Sequence, residues 1–236
     1  MSEREHRAAA RAALRVDDEL RGIFARLGSA EHPNGRVLRT YRVARRSLRA
    51  SGGLQPGAVA ETLGELKRAM REIGSEALSA AAQAGAKSAR AQLDAYRLIG
   101  RPAAYDWSSA LTAWLASVES QAAAVQAAVL TGAEPELIVG DETQPGMLNP
   151  SGPLRDGAKW AAIVAQAAWW AWIEASNARR DGPDALDKQA VAAIDERTTE
   201  CCLLVHGQIV PLDEDFTLTG RPRFADKLQW TPFHWY

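Results

Sequence analysis

The sequence predicts an α+β fold that is mostly α, with N-terminal helical hairpins and a small C-terminal module built from a β-hairpin and a long loop. Three observations carry the prediction. Apolar residues recur at steps of three and four through long stretches of Ala, Leu, Glu and Arg, the signature of amphipathic helices. Breakers separate those stretches at Ser51-Gly52-Gly53, Gly100-Arg101-Pro102 and Asp181-Gly182-Pro183. Runs that favour β structure occur only in the last fifth, from Asp195 to Tyr236. These breaks divide the chain into a basic helical segment (1–50), a helical domain (58–180) and a C-terminal module (181–236).

At 236 residues, 47% hydrophobic and 24% charged, the chain can bury the core of one or two soluble domains. A net charge of −1 hides an asymmetry. Residues 1–50 hold twelve arginines and no lysine against six acidic residues, so the front of the chain is basic. No apolar run follows Met1-Ser2-Glu3-Arg4-Glu5, so no secretory leader is expected. Two adjacent cysteines make a poor disulfide framework, which points to synthesis in a reducing cytoplasm.

In chain order, residues 3–27 form the first expected helix, with Leu14, Leu20, Phe24 and Leu27 on one side. Glu31-His32-Pro33-Asn34-Gly35 is a turn. A second basic helix is expected from Arg36 to Arg49, placing Val37, Leu38, Tyr41, Ala44 and Leu48 inward and Arg39, Arg42, Arg46 and Arg49 outward. That arginine face is either simply solvated or a contact for DNA phosphates or an acidic partner surface, which guanidinium groups suit equally.

From Ala58 to Ile99 helix formers run almost unbroken to Gly100-Arg101-Pro102. Leu78, Ala82, Gly85, Ala89, Leu93 and Tyr96 make a narrow stripe of mostly small residues that admits another helix closely. Asp106 is an N-cap for the next helix, carrying Leu111, Leu115, Val118, Ala122, Val125 and Val129. Its short connection implies an antiparallel helical hairpin, with Trp107 and Trp114 as anchors. Residues 132–153 read as a long loop, either mobile or ordered against a neighbour.

Ala158 to Ala178 forms a helix that is apolar nearly all round, bearing Trp160, Trp169, Trp170 and Trp172. Its uncharged run is shorter than the ~20 residues a bilayer span needs and is closed by Glu174, Arg179 and Arg180, so no membrane partner is expected. Burial on several sides follows instead, with Trp169, Trp170 and Trp172 as candidate protein contacts. Asp184 caps a short expected helix, Ala185 to Ala193, with Leu186, Ala190 and Ile194 inward and Asp187 and Lys188 toward water.

The C-terminal module begins with Leu203-Leu204-Val205 and Gln208-Ile209-Val210, two β-favouring runs either side of His206-Gly207. A hairpin is expected there. Pro211 then ends pairing, Asp213-Glu214-Asp215 surfaces, and Phe216 re-enters. An aromatic-rich loop with Phe224, Trp230, Phe233, Trp235 and Tyr236 completes the module.

Four blocks here occur in order: Asp195-Glu196-Arg197-Thr198-Thr199-Glu200-Cys201-Cys202; Val205-His206-Gly207; Phe216-Thr217-Leu218-Thr219-Gly220 with Pro222-Arg223-Phe224-Ala225-Asp226; and Pro232-Phe233-His234-Trp235-Tyr236. Over roughly residues 185–236 this resembles the end of the phage Mu F-like minor head proteins, the phage head morphogenesis family. The resemblance implies a structural minor capsid protein of a tailed bacteriophage, made in the host cytoplasm and carried in the virion near the portal. Its implied partners are the portal protein, the major capsid or scaffold protein, and packaged DNA, and it implies an oligomeric setting in the head.

Many members of that family carry Thr-Cys-x-x-Cys before the hairpin and Pro-Pro-x-His-x-x-Cys-Arg after it, an arrangement that looks like a zinc site. Here Cys202 and His234 keep two of those positions, Thr199 replaces a cysteine and Thr231 a proline. The chain stops one residue before the expected last cysteine: either the native protein ends there or the chain is truncated, and the apolar aromatic ending favours the second. Cys202 and His234 are thus either zinc ligands supplemented by Cys201 and His206, or a buried cysteine and a hydrogen-bonded histidine; a structural zinc site wants four ligands. No cofactor is otherwise expected, and no catalytic residue is assigned. The alternative is a small metal-assisted hydrolase or transferase centred on Cys202 and His234.

Overall fold

A computed structural model describes residues 22, 35–50, 54–140, 146–178, 180, 185–190 and 200–217. The side chains of Glu200, Cys201 and Cys202 lie outside that description, as do the expected first helix apart from Gly22 and the aromatic loop beyond Thr217. The fold is α+β and mostly α, with one two-stranded antiparallel sheet among the described residues. The chain divides into two compact units, Met1–Ile173 and Glu174–Tyr236.

The first unit is helical. Helix α1 (Arg36–Ala50) buries Val37, Tyr41, Ala44 and Leu48, as its periodicity requires. Leu38, expected inward, is half-buried. Helix α1 shares the unit's main core with the helices that follow. Helix α2 (Pro56–Ala95) runs for 40 residues, ~60 Å at the usual rise. It stops before the expected breaker at Gly100. The Leu98 and Arg97 amides donate back to the Leu93 and Asp94 carbonyls (2.8 and 3.0 Å), and Arg97 takes a positive φ of 58°. That is a Schellman ending made without glycine, so no glycine in the sequence announced it.

Helix α3 (Ser108–Leu130) lies against α2 with ascending residues meeting descending ones: Gly74 faces Leu111 and Trp114, and Val59 and Val129 line one cleft. The expected antiparallel hairpin is present. The N-cap position falls to Trp107 rather than the expected Asp106, which lies one residue earlier and accepts the Ser108 amide (2.9 Å).

Residues 132–153, expected as a bare loop, contain helix α4 (Pro135–Val139) and close on themselves. The Met147 and Leu148 amides donate to the Leu137 and Ile138 carbonyls (2.9 and 3.0 Å), and Ile138, Val139 and Leu148 are buried in the main core. Three apolar side chains thus turn the segment inward.

Helix α5 (Ser151–Asn177) starts earlier than the expected Ala158, because Asn149 Oδ1 accepts the Ser151 amide (2.9 Å) at its first turn. Along its first-unit part, α5 follows α2 in the same direction. Gly85 meets the Ala165 backbone so closely that a Cβ there would overlap the carbonyl oxygen, and Gly100 lies near Trp172. The small-residue stripe read from the sequence does admit a helix at van der Waals range.

Trp114 sits where α2, α3 and α5 meet. It is fully buried, and its indole Nε1 donates to the Pro153 carbonyl (2.6 Å). Added Cβ atoms at Gly74 and Gly157 would each lie 2.6 Å from its ring, so glycines line two sides of it.

The second unit corrects the expected hairpin. Residues Glu200–Val205 form helix α6, and the partner of strand β2 (Ile209–Pro211) is strand β1 (Asp187–Gln189), inside the segment expected as a helix. The register pairs Asp187 with Pro211, Lys188 with Val210 and Gln189 with Ile209. Pro211 therefore does not end pairing, and the Leu212 amide continues the ladder to the Leu186 carbonyl (3.1 Å). Gly207 does take positive φ, 83°, but in the turn that leaves α6 for β2. Ala190, Val205 and Phe216 form the small core of this unit, with Val210 against it. Asp213, Glu214 and Asp215 are exposed and Phe216 is buried, as expected.

Candidate interaction surfaces

Helix α1 carries six arginines that the fold sorts into two groups. Val37, Tyr41, Ala44 and Leu48 define its buried side. At ~100° per residue, Arg39, Arg42 and Arg46 fall within a wedge of ~60° on the opposite side. All three are exposed, and Arg42 and Arg46 make no hydrogen bond or ion pair with described residues. Helix α1 contains no acidic residue. The fourth residue expected on this face, Arg49, is exposed along much of its length, but its Nη2 donates to the Gly140 carbonyl (2.7 Å).

The remaining arginines tie the helix down. Arg36 pairs with Glu76 of α2. Arg45 Nε donates to the Leu148 carbonyl (2.8 Å), and its guanidinium is held below the usual arginine range, first by burial and then by neighbouring Arg49. Beside it, Tyr41 donates to Gln121 Oε1 (2.8 Å), whose amide donates to the Asn149 carbonyl (2.8 Å). Burial drives the Tyr41 phenol well above its ordinary range, with Arg45 opposing. The roles of Arg45 and Gln121 were not among the sequence expectations. A signal existed for Arg45: it continues the four-residue steps Val37, Tyr41, Arg45, Arg49, each rotated by ~40° from the apolar side toward solvent.

Trp169, Trp170 and Trp172 are each half-buried on α5, which fits the expected burial on several sides of that helix. The Trp169 and Trp170 rings lie 5.5 Å apart and tilted by 31°, and Trp169 Nε1 is buried without an acceptor among the described residues. Among the described residues no helix is long and apolar enough to cross a membrane.

In the second unit, Lys188 reverses its expected orientation. Strand alternation turns Leu186, Lys188 and Ala190 inward and leaves Asp187 and Gln189 exposed. Lys188 Nζ lies 5.3 Å from the Phe216 ring centroid. Burial pulls its pKa below the usual lysine range, while Asp215, Asp213 and Glu214 pull it back. Gln208 clamps the chain nearby: its Oε1 accepts the Thr217 amide (3.0 Å), and its Nε2 donates to the carbonyls of Thr217 (2.7 Å) and Leu204 (3.0 Å).

The metal expectation falls on residues outside the description: the side chains of Cys201 and Cys202, and all of His234. His206, the remaining suggested ligand, is exposed in the turn after α6. Among the described residues no three His, Cys, Asp or Glu side chains gather as a metal set. No family model, curated protein or solved structure matches the chain.

Proposed function

We propose that this chain is a structural minor head protein of a tailed bacteriophage, working in the virion by binding rather than by turnover. The observation that carries the reading joins sequence to packing. The described parts of three of the spaced blocks behind the family resemblance fall in one small unit. Val205 of the second block packs against Phe216 of the third, the first block supplies the start of α6, and Gln208 holds the Thr217 backbone. Blocks so joined act as one folded module, which suits a recognition element.

The partners that fit are the portal protein and the major capsid or scaffold protein, met through the helical surfaces that bear Trp169, Trp170 and Trp172. The arginine face of α1 serves DNA or an acidic protein surface. In this setting the protein stands in more than one copy around the portal.

Co-expression with the portal and capsid proteins of the same phage tests the reading. The expected result is co-elution with portal rings or procapsids on sizing and sedimentation. A protein that elutes as a lone monomer beside assembled portal and procapsid refutes it, and so does a hydrolytic turnover that a chelator abolishes.

A further inference from the structure

We infer that the cleft between the end of α1 and α4 binds a small zwitterion with an apolar body, an α-amino acid of the size of leucine. The inference goes beyond the proposed function and does not depend on it. The cleft has a volume of ≈ 370 Å³, within the range of small-molecule sites. Among the described residues, Leu48, Leu54, Pro135 and Val139 form its apolar part, and Arg49 and Glu136 place one cation and one anion on its walls.

Those two charges share the cleft without pairing with each other. Arg49 spends a guanidinium N–H on the Gly140 carbonyl (2.7 Å), which leaves other donors of its fork, and the exposed Glu136 carboxylate makes no bond with a described residue. A ligand with a carboxylate alone would answer Arg49 and be repelled by Glu136. A ligand with an ammonium alone would do the reverse. A molecule that carries both groups on one carbon satisfies both walls: its carboxylate accepts from Arg49, its ammonium donates to Glu136, and its side chain lies against the apolar part.

The walls are set before a ligand arrives. Leu48 and Val139 belong to the main core, the Arg49 bond ties the last turn of α1 to the end of α4, and the Gly140 amide donates to the Glu136 carbonyl (2.8 Å). Binding therefore orders little additional chain, which is where small ligands lose most affinity.

The test is a titration of the full chain with L-leucine, followed by ligand-observed NMR, beside two analogues. Leucinamide lacks the carboxylate and N-acetylleucine lacks the ammonium. Each should bind about 10- to 100-fold more weakly than leucine, the loss of one charge-assisted bond. Glu136→Gln should weaken leucine by a similar factor and tighten N-acetylleucine, since the anion that repels its carboxylate is gone. Those opposite signs are not expected of a residue that only supports the fold, and far-UV circular dichroism confirms that the variant keeps its helices.

The absence of saturable leucine binding overturns the inference. So do equal affinities for leucine and the two analogues, or a leucine affinity that Glu136→Gln leaves unchanged. The analogue series uses the parent protein alone, so it decides the matter even if the variant fails to fold. None of these titrations involves a phage partner, so their failure is distinguishable from failure of the proposed function.

Discussion

Replacing Gly157 with alanine should destabilise the parent protein and stabilise a variant in which Trp114 is leucine. An added Cβ at Gly157 would lie 2.6 Å from Trp114 Cζ2, 2.7 Å from Cε2 and 3.1 Å from Nε1, and those are its three nearest neighbours. The overlap involves a fully buried ring held by the Pro153 carbonyl, so neither side can yield freely. Overpacking of this kind costs about 1–3 kcal/mol. Against that, alanine is favoured over glycine inside a helix by about 1 kcal/mol. The net expectation for Gly157→Ala in the parent is a loss of up to about 2 kcal/mol. Trp114→Leu removes all three opposing atoms. By itself it should cost about 3 kcal/mol, through the cavity and the lost donor to Pro153. In that background the three overlapping ring atoms are gone and the helix preference remains, so Gly157→Ala should gain about 1 kcal/mol. The coupling between the two sites is then about 1–3 kcal/mol, the overpacking cost itself. Urea unfolding of the four proteins followed by far-UV circular dichroism measures it. A coupling below about 0.5 kcal/mol would mean that the ring and the α5 backbone do not meet as described.

Three further outcomes are expected. Arg97→Gly should raise stability by about 1 kcal/mol in urea unfolding, because glycine adopts the positive φ of the α2 ending without steric cost. Asp106→Ala should lower stability at neutral pH, and the gap from the parent should close in acid. Bonds from the Ser108 amide and then its hydroxyl hold the Asp106 carboxyl below its ordinary value of 3.8, so its contribution is complete above that pH and vanishes as pH falls through the depressed value. A gap unchanged across the acid range would remove the two Ser108 bonds from the account. Lys188→Met should be neutral or stabilising by up to about 1 kcal/mol, since it keeps a long apolar stem near Phe216 and removes a charge that burial disfavours; a loss above about 2 kcal/mol in thermal unfolding would show that Asp213, Glu214 and Asp215 outweigh burial.

The first unit was largely legible because its signals are periodic and long. Val37, Tyr41, Ala44 and Leu48, or Leu111, Leu115, Val118, Ala122, Val125 and Val129, repeat often enough that the pattern survives local exceptions. The close approach at Gly85 could also be read, since small residues at that spacing have few other uses. The strand pairing of the C-terminal module was not legible, for two physical reasons. Leu203-Leu204-Val205 is a short apolar run, and such a run does not distinguish a buried strand from a turn of helix by period alone. The true partner of β2, Asp187-Lys188-Gln189, has no β propensity to declare it, and its pairing is set by tertiary context. Gly207 was correctly expected at positive φ, yet that requirement is shared by hairpin turns and helix endings. Within residues 132–153, glycine and proline masked the weight of Ile138, Val139 and Leu148, which pull the segment into the core.

The same distinction governs what the basic charge of α1 can do. Counting arginines suggests six equivalent cations, but the four-residue steps from Val37 carry Arg45 and Arg49 to positions between the apolar side and the outward face. There they meet the Leu148 and Gly140 carbonyls of the segment that α4 begins. Those two bonds fix α1 and that segment to each other, so replacing every arginine together would disturb the scaffold and its outward face at once. A loss of binding in such a protein would say nothing about contact. The face is best questioned through Arg42 and Arg46, which make no bond with described residues and point away from every residue that α1 buries. If the face is a contact, removing the charge of these two leaves the helix seated and changes the salt dependence of binding.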